Sequence, residues 1–211
     1  MRRFCQSTRV ATVIYDQAWL AIGILFAVLS SGCTQPSAPE MPRAEKSWTD
    51  QIAAVKQGVS TEIIVVQQAA IADEHLDELS DLAGLRTLVI ERSTLSDAGA
   101  AKLSQLRSLQ RLAIGEANWT NAAVTSLVAL SQLENLRLGK CAIDDEGFRQ
   151  LAQLTELRFL IVRDLPITER SLVVIEKLPK LESLYISGTQ VSERGLAQLQ
   201  MLRPALHIHD S

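Results

Sequence analysis

Aromatic residues are scarce in this chain: Phe, Trp and Tyr make up 4% of 211 residues. Sugar-binding platforms usually stack several rings, so the composition speaks against glycan binding. A dominant charge is missing too. The chain has 21 Lys and Arg against 24 Asp and Glu, a net charge of −3, which excludes a broad nucleic-acid footprint. Cysteine is rare and dispersed. Cys5, Cys33 and Cys141 have neither metal-site spacing nor the pattern of a disulfide framework. The apolar run Ala18–Leu29 stops at 12 residues, short of the roughly 20 that span a bilayer. Catalytic signatures are absent as well. There is no Gly-x-Ser-x-Gly elbow, no phosphate loop, no His-Glu-x-x-His and no paired cysteine motif. Asp144-Asp145-Glu146 sits on an expected helix start with no histidine or nucleophile in register. The chain reads as a non-enzyme without cofactor or metal.

What is abundant is aliphatic, with 47% of residues hydrophobic. Leu181–Leu202 shows how they are arranged. Counting Leu181 as position 1, apolar residues fall at positions 4 and 6, then 11, then 16, 19 and 22. The first spacing is that of a strand, the last that of one helix face. Such a segment cannot bury its apolar side alone and needs neighbours of its own kind. Copies recur every 24 residues from Thr61 to Pro204, giving six units. Position 4 reads Ile64, Leu88, Leu112, Leu136, Leu160 and Leu184. Position 6 reads Val66, Ile90, Ile114, Leu138, Val162 and Ile186. Position 22 is leucine throughout, from Leu82 to Leu202.

The polar positions are equally regular. Position 12 carries Ser96, Thr120, Asp144, Thr168 and Ser192, with Ala72 the exception, and position 13 carries Asp73, Asp97, Asn121, Asp145, Glu169 and Glu193. Oxygens there suit the free N–H groups of a first helical turn. Position 15 is mostly small (Gly99, Ala123, Gly147, Ser171, Gly195), which is expected to let the helix start approach the strand layer. The pattern Leu-x-x-Leu-x-Leu, followed by a Thr/Ser-Asp-x-Gly-Leu helix start, resembles the leucine-rich-repeat family. Its ribonuclease-inhibitor-like and cysteine-containing subtypes are the most similar. The resemblance implies an α/β fold: a right-handed solenoid with a parallel sheet on one face and helices on the other. Family members often place Asn or Cys at position 9 to tie neighbouring loops. Here that position holds Ala69, Ser93, Ala117, Cys141, Leu165 and Thr189, so Cys141 reads as structural.

Outside the repeats, Arg2, Arg3 and Arg9 precede the apolar run, which ends in Leu29-Ser30-Ser31-Gly32-Cys33. This resembles a bacterial lipoprotein signal. The resemblance implies that residues 1–32 are removed, that Cys33 is lipidated, and that the chain is anchored in the cell envelope. With Thr34 rather than aspartate after the cysteine, the resemblance leans towards the outer membrane. An ordinary cleaved signal and an uncleaved anchor remain open alternatives. Residues 33–46, with Pro36, Pro39 and Pro42, form a tether. Residues 47–60 form a capping helix started by Ser47 and stopped by Gly58, with Trp48, Ile52 and Val55 on one face. Residues 205–211 form a truncated closing strand. His207 and His209 share a side of it with Asp210 adjacent, a solvated edge rather than a metal site, and His75 reads as surface.

Function then falls to the outward strand positions 3, 5 and 7. Six strands about 4.8 Å apart give a ladder roughly 25 Å across, enough for a modest protein interface. Arg111, Arg137 and Arg163 form a cationic diagonal, with Phe159, Ile161 and Tyr185 as anchors. The expected role is protein–protein recognition by a membrane-anchored scaffold with an unknown protein partner. Glycan or cell-wall binding, or a plain spacer, is the alternative. Ile63, Val65 and Val89 are expected on the same outward face, apolar enough to need a cover. The register makes a direct statement about stability. Leu136→Ala is expected to cost about 2–5 kcal/mol in a denaturant titration, and Arg137→Ala, its neighbour, little.

Overall fold

The computed structural model describes residues 46–66 and 70–210. The leading segment, Cys33 and the tether as far as residue 45 lie outside the described residues. So do Gln67, Gln68, Ala69 and Ser211.

Seven strands form one parallel sheet in strict chain order: β1 Glu62–Val65, β2 Thr87–Ile90, β3 Arg111–Ile114, β4 Asn135–Gly139, β5 Phe159–Arg163, β6 Ser183–Ser187 and β7 His207–Asp210. Short helices form the second layer. They are α2 Asp97–Leu103, α3 Asn121–Leu127, α4 Asp145–Arg149, α5 Leu172–Glu176 and α6 Glu193–Leu202. Between β1 and β2 the same place is taken by a 3₁₀ helix, Asp73–Leu79. From β2 onward every strand pairs with the next at an offset of 24 residues, as in Leu88 with Leu112 and Leu184 with Ile208. The leucines, isoleucines and valines at positions 4, 6 and 11 of the inner units fill a single core between the layers.

The first strand departs from the 24-residue register. Ile63 pairs with Leu88 and Val65 with Ile90, so Ile63 and Val65 point into the core (0% and 2% exposed) and Ile64 and Val66 do not. Strand side chains alternate, so a slip of one residue exchanges the two faces. The loop after β1 is back in step: the Thr94 N–H donates to Ile71 O at 2.8 Å, as that of Asn118 does to Leu95 O. The first unit therefore holds one more residue between strand and loop than its successors. The capping helix α1, Trp48–Lys56, fixes this arrangement. Ser47 caps its start, Gly58 at φ +69° ends it, and Trp48, Ile52 and Val55 are buried on the core. Its Gln51 amide serves as a substitute strand. Nε2 donates to Ile64 O at 2.8 Å and Oε1 accepts from Ile64 N at 2.6 Å. The otherwise open edge of β1 is thereby satisfied on both sides of Ile64.

Position 12 caps its own helix as expected: Ser96, Thr120, Asp144, Thr168 and Ser192 all accept N–H bonds from the turn that follows. Position 13 acts differently from the expectation. Its oxygens reach the next unit, not the first turn of their own helix. Asp73 accepts from the Ser96 N–H at 2.9 Å and from its hydroxyl at 2.5 Å. Asp97 holds Thr120 in the same way (2.8 and 2.6 Å), and Asp145 holds Thr168 (2.7 and 2.6 Å). Glu169 accepts from the Ser192 N–H at 3.0 Å. Where position 13 is Asn121 the following residue is Asp144, and the polarity is rearranged to suit: Asn121 Nδ2 donates to the Asp144 carboxylate at 2.8 Å and its Oδ1 accepts from Asp144 N.

The small residue at position 15 belongs to the same device. A Cβ on Gly99 would stand 2.2 Å from Asp73 Oδ1, one on Gly147 2.2 Å from Asn121 Oδ1, and one on Gly195 2.7 Å from Glu169 Cγ. The space serves the preceding unit's side chain rather than an approach of helix to strand. At Ser171 the hydroxyl joins the network and donates to Asp145. Burial raises the Asp145 pKa, but the hydroxyls of Ser171 and Thr168 and the Thr168 N–H outweigh it and hold the carboxyl below its ordinary 3.8.

An alanine in place of glycine inside a helix ordinarily gains up to about 1 kcal/mol. Gly147→Ala is expected to reverse that sign and destabilise by about 1–3 kcal/mol in urea. Gly84→Ala, where an added Cβ meets nothing within 4 Å, serves as the near-neutral control.

Candidate functional site

The outward sheet face is built of three rows crossing the strands. Register places Thr87, Arg111, Asn135, Phe159, Ser183 and His207 in one row. The next row runs Ile64, Val89, Ala113, Arg137, Ile161, Tyr185 and His209. The third ends Gly139, Arg163, Ser187. Ile63 and Val65, expected here, lie beneath the sheet instead.

The three arginines do not form one diagonal of equivalent cations. Arg137 is 6% exposed and lies along the sheet, its Nη1 2.6 Å from Glu91 Oε1 two strands away. The residues it crosses are small, Ala113 and Gly115. A Cβ on Gly115 would come within 2.7 Å of the Glu91 carboxylate, and one on Gly139 within 2.4 Å of Gly115 O. A trough of small residues thus accommodates a half-sunk ion pair in the middle of the face. Arg111 is half-buried in the next row. The Asn135 amide, oriented to match donors with acceptors, accepts from Arg111 Nε at 3.2 Å. Arg163 lies beyond the trough, half-buried at the end of β5.

The apolar candidates do come together. Phe159 and Tyr185 are half-buried, Ile161 is 7% exposed, and Ile161 is the direct cross-strand neighbour of Tyr185. Tyr185 in turn stacks on His209, its neighbour on β7, with ring centroids 4.1 Å apart and planes inclined by 6°. Phe159, Ile161, Tyr185 and His209 thus make a ridge over the last three strands. The sequence reading missed the stack, although His209 follows Tyr185 by one repeat length. It missed Glu91 as the partner of Arg137, because that contact spans two units.

At the lip beside this face, position 8 alternates in charge. Lys140 bridges Glu116, which holds the Glu116 carboxyl below its usual range and raises the lysine. Lys140 and Asp164 adopt left-handed backbone (φ 45° and 53°), and Gly188 follows at 61°. Cys141, one residue further on, is buried, and desolvation pushes its thiol up to about 12, which leaves it a packing residue. Among the described residues no group of three or more His, Cys, Asp or Glu is placed to hold a metal. No described helix is long and apolar enough to cross a membrane.

Parallel strands in chain order, a unit length of 24 and one helix per turn decide the architecture. The chain folds as a leucine-rich-repeat solenoid. No protein-family model and no curated protein matches it. Solved structures do. One is an internalin of Listeria monocytogenes, at 17% identity and a TM-score of 0.49, covering 76% of this chain and 58% of that one. Another is a leucine-rich-repeat protein of Leptospira interrogans, at 16% and 0.41, covering 74% and 50%. A third is the leucine-rich-repeat ectodomain of a receptor kinase of Arabidopsis thaliana, at 19% and 0.36, covering 52% and 60%. The chain spans between half and about 60% of the length of these three structures.

The buried position of Arg137 revises the expectation that its loss is harmless. In a double-mutant cycle with Glu91→Ala, Arg137→Ala is expected to show a coupling of about 1–2 kcal/mol in chemical denaturation. Strict additivity would show that the trough pair contributes nothing.

Proposed function

We propose that this leucine-rich-repeat solenoid recognises a protein partner through the outward sheet face of its last three strands. The observation that carries the reading is the ridge Phe159–Ile161–Tyr185–His209. It gathers most of the large apolar and aromatic side chains of the face, next to a central region whose arginine is already paired with Glu91. Aromatic side chains are enriched at interfaces, and tyrosine is among those most often found at their energetic centre. Arg163 borders the ridge and Arg111 stands one strand from Asn135, so both belong to a polar rim around it rather than to its centre.

The location is part of the same proposal. The sequence from Ala18 to Cys33 supports a lipid on Cys33, with residues 34–46 as a tether that lets the solenoid face the periplasm or the exterior of a bacterial envelope. Intact-mass measurement of membrane-extracted protein is the direct test. A diacylglyceryl adduct on Cys33 supports it, and an unmodified N-terminus at Met1 overturns it.

For recognition itself, Phe159→Ser with Tyr185→Ser is expected to lower retention of a partner, captured by crosslinking in the native cell, by about 30-fold or more. The unfolding midpoint of that variant should stay close to wild type. Retention at wild-type strength would sink the assignment. Hits on a glycan array that depend on the same two rings would favour the carbohydrate alternative.

A further inference from the structure

The charges around the Phe159–Tyr185 ridge follow a pattern of their own. The outward side of β5 and β6, with the loop residues that immediately border it, carries Arg158, Arg163, Asp164 and Glu182, two of each sign. Arg158 Nε and Nη2 both donate to Glu182 Oε1, at 2.9 and 2.6 Å, along the border before the strands. Along the border after them Lys140 is paired with Glu116, whose carboxylate raises the lysine pKa. Asp164 raises it further and Arg163 opposes, so that both signs meet again at Lys140. Towards the centre of the face, Arg137 is closed onto Glu91. On β7 only the imidazoles of His207 and His209 share the outward side. In the rows on either side of Tyr185 its own strand offers two neutral hydroxyls, Ser183 and Ser187.

The Arg158 and Glu182 side chains are 43% and 47% exposed, and ion pairs as wet as this add little to folding. Their effect is on the field outside. Opposite charges in contact cancel within a short distance, and salt screens what is left. The ridge is thus bordered by pairs and presents no net charge of either sign. Partners match potential with potential. A charged group brought onto the ridge loses its water, and then either stays unpaired or takes a residue from its present partner. An uncharged apolar surface meets neither cost and gains by covering Phe159 and Tyr185.

We propose that the partner surface seated on this ridge is apolar and uncharged, a hydrophobic protein segment captured without charge steering. The inference rests on the ridge being the contact, as proposed above. Association is then expected at about 10⁵–10⁶ M⁻¹s⁻¹, the range of unsteered complexes, whatever the salt concentration. An acidic or a basic segment would instead bind faster at low salt and lose affinity steeply as salt rises.

The test pans a random-peptide display library on the full chain at about pH 8, where histidine side chains are neutral. Only peptides lost on the Phe159→Ser, Tyr185→Ser double variant are kept. They are expected to carry aromatic and aliphatic residues and no excess of either charge. Their Kd should change less than ~2-fold between about 50 mM and about 500 mM NaCl. It should also change less than ~2-fold when the bordering pair is exchanged, Arg158→Glu with Glu182→Arg, which reverses its direction and keeps its balance. Ring-dependent peptides rich in Asp and Glu, or in Lys and Arg, would overturn the proposal. So would a loss of ~10-fold or more with salt or on the exchange. If no peptide distinguishes the double variant from the wild type, the ridge reading itself falls, and this inference with it.

Discussion

From Asp73 to Ser192, successive turns of this solenoid share one recurring polar contact, from the position-13 side chain to position 12 of the following unit. Without it the stack would rest on aliphatic packing and on strand pairing four or five residues long, neither of which fixes where a helix begins. The contact does so because it holds a backbone N–H and a side chain of the same residue together. That residue then caps its own helix. The small residue three places later (glycine, alanine or serine) leaves room for the incoming oxygen. A carboxylate thus orients the helix start of its neighbour, and the burial of that helix follows. The electrostatic consequence has a definite sign. Asp144 is held below its ordinary value chiefly by the Asn121 amide and then by the Glu146 and Gly147 N–H groups, and Glu169 chiefly by Ser192. A carboxyl whose folded pKa is depressed contributes stability above its unfolded pKa and loses it as pH falls through the folded one. The contacts made by Asp144, Asp145 and Glu169 are therefore strongest near neutral pH and weaken in acid.

Much of this was open to the sequence. Period, strand and helix positions, the capping residues and the identity of most core columns follow from apolar spacing, because each unit meets the same demand for burial. Beyond the position-13 contacts and the Tyr185–His209 stack, two parts were not legible, for physical reasons. The slip in the first unit arises where a strand has no predecessor. Ile63, Ile64, Val65 and Val66 are all apolar, so hydrophobicity does not choose between the two faces, and the Gln51 amide fixes the edge at Ile64 instead. The division of labour among the arginines was hidden because it depends on what stands two strands away. Arg137 can lie flat only because Ala113 and Gly115 are small and Glu91 waits beyond them. A per-unit reading sees a long cation at an outward position and cannot distinguish a contact from a brace.

The same comparison separates the two ends of the sheet face. Its centre has already spent its charge internally, which flattens it. Its last three strands keep half-buried rings at the surface, with Ile161 buried beside them. The last helix is tied back by Arg203, whose guanidinium donates to Ile175 O at 2.7 Å, Leu178 O at 3.2 Å and Leu181 O at 3.1 Å. Those three carbonyls are thereby satisfied, while Leu202 and Met201 remain exposed.

The exchanged polarity at Asn121 and Asp144 has a further consequence for how such a chain can be lengthened or shortened. The linked pair straddles the boundary of the unit as counted from its strand. Excising Asn121–Asp144 removes one amide–acid pair whole and leaves Asp97 on Thr120 and Asp145 on Thr168. Excising an equally long piece from Leu109 to Gln132, strand start to strand start, brings Asp97 against Asp144, carboxylate against carboxylate. The interchangeable brick of this solenoid is thus half a turn out of phase with the motif by which the eye finds it, running from one helix start to the next.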